Sequence, residues 1–111
     1  MRGPKERAEE TVPDSACQVT AADLKRLDAI HQLLEALRDP LASSKLVEHR
    51  VKQIPVLTAR MIRFVQRNHP ARNVTTLGGA LGIVGNRGLE AVLLELLEDL
   101  TVLRADLENQ T

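Results

Sequence analysis

The sequence predicts an all-α fold, a five-helix orthogonal bundle that ends in a long C-terminal amphipathic helix. Three observations predict it. After Thr20 the apolar residues recur at steps of three and four, the period of one helix face. No stretch shows the strict alternation of a half-buried strand. Each apolar block is bounded by helix punctuation: Thr20, Ser43, Pro55, Thr76 and Asn86 at starts, and Asp39-Pro40, Asn68-His69-Pro70 and Gly85 at ends.

Residues 1–19 read as a disordered N-terminal tail ahead of a helical domain over 20–111. They hold Pro4, Pro13 and the charges of Arg2, Lys5, Glu6, Arg7, Glu9 and Glu10, with no sustained apolar period. Cys17, near the end of this segment, reads as an ordinary exposed thiol, because nothing nearby would stabilise a thiolate.

Thr20 followed three residues later by Asp23 resembles a capping box, so the first helix starts there. Leu24, Leu27, Ile30, Leu34 and Leu37, with Leu33 beside them, form its apolar stripe, and Asp39-Pro40 ends it. Ser43 or Ser44 caps a shorter second helix whose inner face is Leu46, Val47, Val51 and Ile54. Pro55 suits the first position of a third helix, where its missing N–H leaves no donor unpaired. Leu57, Met61, Phe64 and Val65 form the inner face of that helix.

Residues 70–75 read as a loop, after which Thr75 or Thr76 caps a short fourth helix with Leu77, Ala80, Leu81 and Val84 inward. Gly78, Gly79 and Gly82 each cost such a helix about 1 kcal/mol relative to Ala. They imply close packing against another backbone. Gly85 stops this helix and Asn86 starts the fifth, which runs to about residue 108. Leu89, Leu93, Leu96, Leu100, Leu103 and Leu107 are spaced four, three, four, three, four, an unbroken heptad seam. Val92, Leu94 and Leu97 widen its first half, as in a helix buried within a domain.

Composition sets the outer limits. The 111 residues are 43% apolar and 27% charged, with 15 Lys and Arg against 15 Asp and Glu. That balance excludes a disordered polyelectrolyte and a globally basic nucleic-acid binder. One Cys excludes a disulfide framework and a Cys-rich zinc site. No apolar run approaches the roughly 20 residues of a membrane helix, and the N-terminus lacks a signal peptide's apolar core, so cytoplasmic residence is expected. Phe64 is the only aromatic residue, which argues against a base-stacking platform.

The zero net charge is segregated along the chain. Residues 43–72 carry Lys45, Arg50, Lys52, Arg60, Arg63, Arg67 and Arg72 against Glu48, a net +6. Residues 88–111 carry Glu90, Glu95, Glu98, Asp99, Asp106 and Glu108 against Arg104, a net −5. Arg60, Arg63 and Arg67 share one face of the third helix, opposite Leu57 and Met61. That stripe reads either as a solvated face partly neutralised by the acidic last helix, or as a partner-binding patch for an acidic ligand.

No catalytic chemistry is legible. His31, His49 and His69 lie on different predicted elements, and only Glu35, four after His31, stands at a ligand spacing. No nucleophile elbow, phosphate-binding Gly-Lys loop or Cys/His pairing is present, so neither an enzyme, a metal nor a cofactor is expected. Gly85-Asn86-Arg87-Gly88 reads as a tight interhelical turn. Residues 77–92 could imitate a helix-turn-helix, but the second helix becomes leucine-rich and acidic, and Glu90, Glu95 and Glu98 would repel phosphate.

Within residues 33–63 the pattern becomes more specific. Leu33-Leu34, Asp39-Pro40, Ala42-Ser43, Val47, Val51 and then Pro55-Val56-Leu57-Thr58-Ala59-Arg60-Met61-Ile62-Arg63 resemble, without a gap, the bacterial HDOD family. Thr76-Leu77, Ala80-Leu81 and Val84-Gly85 resemble the segment that follows in that family, so that the likeness covers roughly 24–97. It implies an all-α, non-catalytic signalling module related to metal-dependent HD phosphohydrolases but lacking their metal ligands. No His-Asp dipeptide occurs here, in keeping with that. The stretch 65–72 departs from the family in being shorter and lacking an aromatic. Full domains of the family are about twice this length, so the chain is expected to correspond to the first helical half.

These readings converge on a small bacterial regulatory module that binds an unidentified protein partner through Arg60, Arg63 and Arg67. It is expected to form a homodimer with Leu96, Leu100, Leu103 and Leu107 buried between chains, because half a domain offers little cover for them. A small DNA-binding regulator is the less favoured alternative.

Overall fold

The computed structural model describes residues 12–110, and every regular element among them is helical. The segments are α1 (Asp14–Cys17), α2 (Ala21–Leu24), α3 (Leu27–Arg38), α4 (Ser44–Lys52), α5 (Pro55–Asn68), a 3-10 turn (Pro70–Arg72) and α6 (Leu77–Glu108). The all-α expectation therefore stands, long C-terminal helix included.

Start signals act where the sequence places them. Thr20 and Asp23 form a full capping box, in which the Thr20 N–H donates to Asp23 Oδ2 at 2.7 Å and the Asp23 N–H faces the Thr20 side chain; the Thr20 hydroxyl also donates to Asp23 Oδ2 at 3.2 Å. Ser43 Oγ accepts the Leu46 N–H at 3.1 Å, and Thr76 Oγ1 accepts the Gly79 N–H at 3.1 Å. Pro55 opens α5 at its first turn.

Local expectations change in several places. The first helix is two pieces, because the chain leaves helical geometry at Lys25–Arg26. The break has a packing reason: α2 lies against α6, whereas α3 lies against α4. Leu46, expected on the inner face of α4, is exposed, while Val56 joins Ile54 in the core. Of the segment read as a disordered tail, residues 1–11 lie outside the described residues, but 12–19 are seated: α1 packs on α5, and Cys17 is buried rather than exposed. Four residues are too few for a periodic signal. The expected fourth and fifth helices are both present, as arms over 77–84 and 86–108 that meet at Gly85.

Gly85 carries the chain through φ 66°, ψ −167°, a region that is essentially glycine's alone. The arms 77–84 and 86–108 diverge at that point. Gly88 is needed for a different reason. A Cβ there would stand 2.6 Å from Val84 Cγ2 and closer still to Val84 Cβ, so the valine rests directly on the glycine backbone across the kink. Gly78, Gly79 and Gly82 do not face another backbone, contrary to expectation. Gly78 looks onto the Glu48 carboxylate, Gly79 onto Thr76 and Val74 side chains, and Gly82 onto open space.

The core is aliphatic and centred on the C-terminal arm. Leu89, Leu93 and Leu96 are fully buried with Ile30, Leu33, Val51, Ile54, Leu57 and Met61. Val65, Val74 and Ala80 make a smaller cluster where the 3-10 turn meets the 77–84 arm, and Phe64 touches both clusters. Leu100 is also core, only 2% exposed. The expectation that Leu96 and Leu100 lie between two chains is thus corrected: α3, α4 and α5 of the same chain cover this helix. Leu103 and Leu107, beyond those elements, stay half-buried.

Two measurements check this packing. Gly82→Ala should raise stability by roughly 0.5–1 kcal/mol in a thermal or urea melt, whereas Gly85→Ala and Gly88→Ala should each lower it by roughly 1–3 kcal/mol. Leu100→Ala should lower it by about 2–5 kcal/mol, with a melting temperature that does not depend on protein concentration. A concentration-dependent melt would return Leu100 to an interface.

Candidate functional site

The three arginines of α5 line one cleft. They recur at i, i+3 and i+7, so a single helical face carries all three while Leu57, Met61 and Val65 occupy the buried side. The cleft has a volume of about 550 Å³. α5 contributes Arg60, Arg63, Phe64, Arg67 and Asn68, α6 contributes Val92, Glu95 and Asp99, and the N-terminal segment contributes Asp14, Cys17 and Gln18.

The arginines differ in what they hold. Arg60 is the innermost, its side chain 13% exposed. One guanidinium nitrogen meets Asp99 Oδ2 at 2.7 Å, and Nε donates to the Cys17 carbonyl at 2.7 Å. That carbonyl belongs to the last residue of α1, so Arg60 caps the C-terminal end of this short helix with a cation while pinning α5 to α6. Arg63 holds the other end of α1: it pairs with the Asp14 carboxylate at 2.5 Å and donates to the Val12 carbonyl at 2.7 Å. Arg67 is exposed and has no carboxylate partner among the described residues. Glu95, across the cleft, is likewise exposed and unpaired among them.

Of the two readings of the basic face, neutralisation by the acidic last helix is realised at Arg60, through Asp99. What sequence reasoning missed is the second source of negative groups, the N-terminal segment. Asp14 and the carbonyls of Val12 and Cys17 satisfy two of the three arginines. No periodicity marks such a segment; the only hint is an acidic residue within a turn-forming Pro13-Asp14-Ser15 run. The candidate self-association residues are not brought together as a surface. Leu96 and Leu100 lie in the core, whereas Leu103 and Leu107 are half-buried near the end of α6. The exposed apolar side chains of that helix are Leu94 and Val102, at 56% and 57% exposure.

Among the described residues no group of three or more His, Cys, Asp or Glu is arranged to hold a metal ion, and no helix is long and apolar enough to cross a membrane. A smaller groove of about 100 Å³ lies at the Gly85 kink, between Leu34, Leu37 and Arg38 of α3 and Asn86, Arg87 and Glu90 of α6. This is the turn that a helix-turn-helix would use, and Glu90 stands within it. The chain matches no family model, no curated protein and no solved structure.

The unequal engagement of the arginines separates their expected effects. Arg60→Ala should lower stability by about 1–2 kcal/mol, since it leaves Asp99 and the Cys17 carbonyl without their donor. Arg67→Ala should leave stability within about 0.5 kcal/mol of the parent. Chemical denaturation of the two variants checks the ordering.

Proposed function

We propose that the chain is a non-catalytic bacterial regulatory module that acts by protein–protein contact, and that the α5–α6 cleft is where it meets an acidic partner. The observation that carries this reading is the division of labour among the arginines. Arg63 already holds a carboxylate and a backbone carbonyl from a short peptide segment, and Arg67, one turn further along the same wall, has no carboxylate partner among the described residues. A guanidinium is a planar fork suited to carboxylates, so an exposed arginine beside an occupied one extends the same mode of recognition. The resemblance of residues 33–63 to the HDOD family supports the same class of function, because it implies a signalling module without catalysis. Residence in the cytoplasm belongs to the same proposal.

The DNA-reader alternative is less favoured on the same geometry. Arg60 and Arg63 are engaged by Asp99 and Asp14, and Glu90 flanks the turn at Asn86–Arg87. Self-association, as a further part of the proposal, would rest on Leu103, Leu107 and the exposed Val102, since Leu96 and Leu100 serve the chain's own core.

The test is capture from extracts of the source cell, with and without nuclease treatment, using the parent and Arg67→Glu, which reverses a charge without breaking an ion pair among the described residues. A specific protein retained by the parent and reduced about tenfold or more by the substitution is expected. Equal retention by both proteins would overturn the reading. So would retention of nucleic acid alone, with binding that falls steeply as salt rises.

A further inference from the structure

The N-terminal segment sits on the site just described as a ligand would. α1 has one turn of helix and one buried side chain, Cys17. Val19, just beyond it, packs against the edge of the core, and the polar attachments are Asp14 and the Val12 carbonyl to Arg63 and the Cys17 carbonyl to Arg60. Asp14 itself is 83% exposed. A segment held by so little buried apolar surface, and by an ion pair open to water, belongs to the part of a structure that opens locally long before the whole unfolds. The wall beneath it is of the opposite kind. It belongs to α5 and α6, the pair of elements with the most extensive mutual packing.

We propose that α1 is an intramolecular occupant of the α5 arginine site, and that the partner displaces it with a short acidic segment of its own. The proposal rests on the protein–protein reading above and adds the form of the partner and the regulation of the site. Recognition is specified by three features of the seated segment. A carboxylate meets Arg63, a carbonyl two residues before it meets the same guanidinium, and the carbonyl ending the helical turn meets Arg60. A partner supplying those groups and an added acidic residue for Arg67 gains a contact that α1 does not make. Displacement also bares the thiol of Cys17 and the adjoining face of Phe64, which both line the cleft.

Cys17 is the chain's only cysteine, so thiol labelling of the full protein reads the opening directly. Asp14→Arg places a cation against Arg63 and should speed labelling at least about threefold, with a melting temperature close to the parent's. The probe for the second half is a synthetic peptide with the sequence of residues 12–19 and serine in place of Cys17. At millimolar concentration it should speed labelling of the parent, and a version with arginine in place of Asp14 should not. Unchanged labelling of Asp14→Arg would overturn the ion-pair latch. Absence of any effect of the peptide would overturn competition for the site. A parent labelling rate that varies with protein concentration would assign the occupant to a second copy of the chain and overturn the proposal too. None of these readouts needs the partner, so their failure is distinct from failure of the capture experiment, which tests the partner without reference to α1.

Discussion

With a single aromatic residue, this chain has to build its interior from branched and straight aliphatic side chains, and the helix over 86–108 supplies the axis. Leu89, Leu93 and Leu96 are fully buried, Leu100 nearly so, and α3, α4 and α5 each present residues to them. Burial of a leucine is worth about 1.5–3 kcal/mol, so these four alone account for an amount comparable with the net stability of a small domain. Everything else is arranged to reach that axis. The break at Lys25–Arg26 separates α2, which lies against it, from α3, Pro55 opens α5, and Gly85 sets the angle of the preceding arm.

A second layer, of charge, lies over the aliphatic one. The basic 43–72 stretch and the acidic C-terminal helix are far apart in sequence, and packing of α5 on α6 brings Arg60 to Asp99. A half-exposed pair of this kind contributes modestly to stability. Its larger effect is geometric, because Arg60 also reaches the Cys17 carbonyl and so joins three elements through one guanidinium. The cleft is therefore close to charge balance while α1 is seated, with Asp14, Glu95 and Asp99 facing Arg60, Arg63 and Arg67. Removal of α1 takes one carboxylate away and tips the same wall positive.

Features that obey local rules were legible from residues alone. The capping box at Thr20 and Asp23, the caps at Ser43 and Thr76, Pro55 at the start of α5 and the stop at Gly85 all depend on a few neighbouring side chains, and all are present. Features set by distant partners were not. The heptad seam of the last helix does not say whether its cover comes from the same chain or another, and only the fold shows Leu96 and Leu100 covered from within. The glycines of the 77–84 arm suggest a neighbouring backbone, yet Gly82 faces open space and the glycine with a real steric role, Gly88, lies past the kink. Of the candidate site, the arginine stripe could be read in advance. The peptide segment on Arg63 could not, since α1 is too short to carry a period and its energy comes from backbone carbonyls, which every residue has.

The lone Phe64, wedged between the two aliphatic clusters, has an optical consequence. With neither tryptophan nor tyrosine in the chain, the folded protein is dark in the fluorescence window those residues define. Whatever docks against α5 would bring its own indole or phenol into an otherwise silent background. A change in that emission would report the environment of the visitor alone, unmixed with any signal from its host.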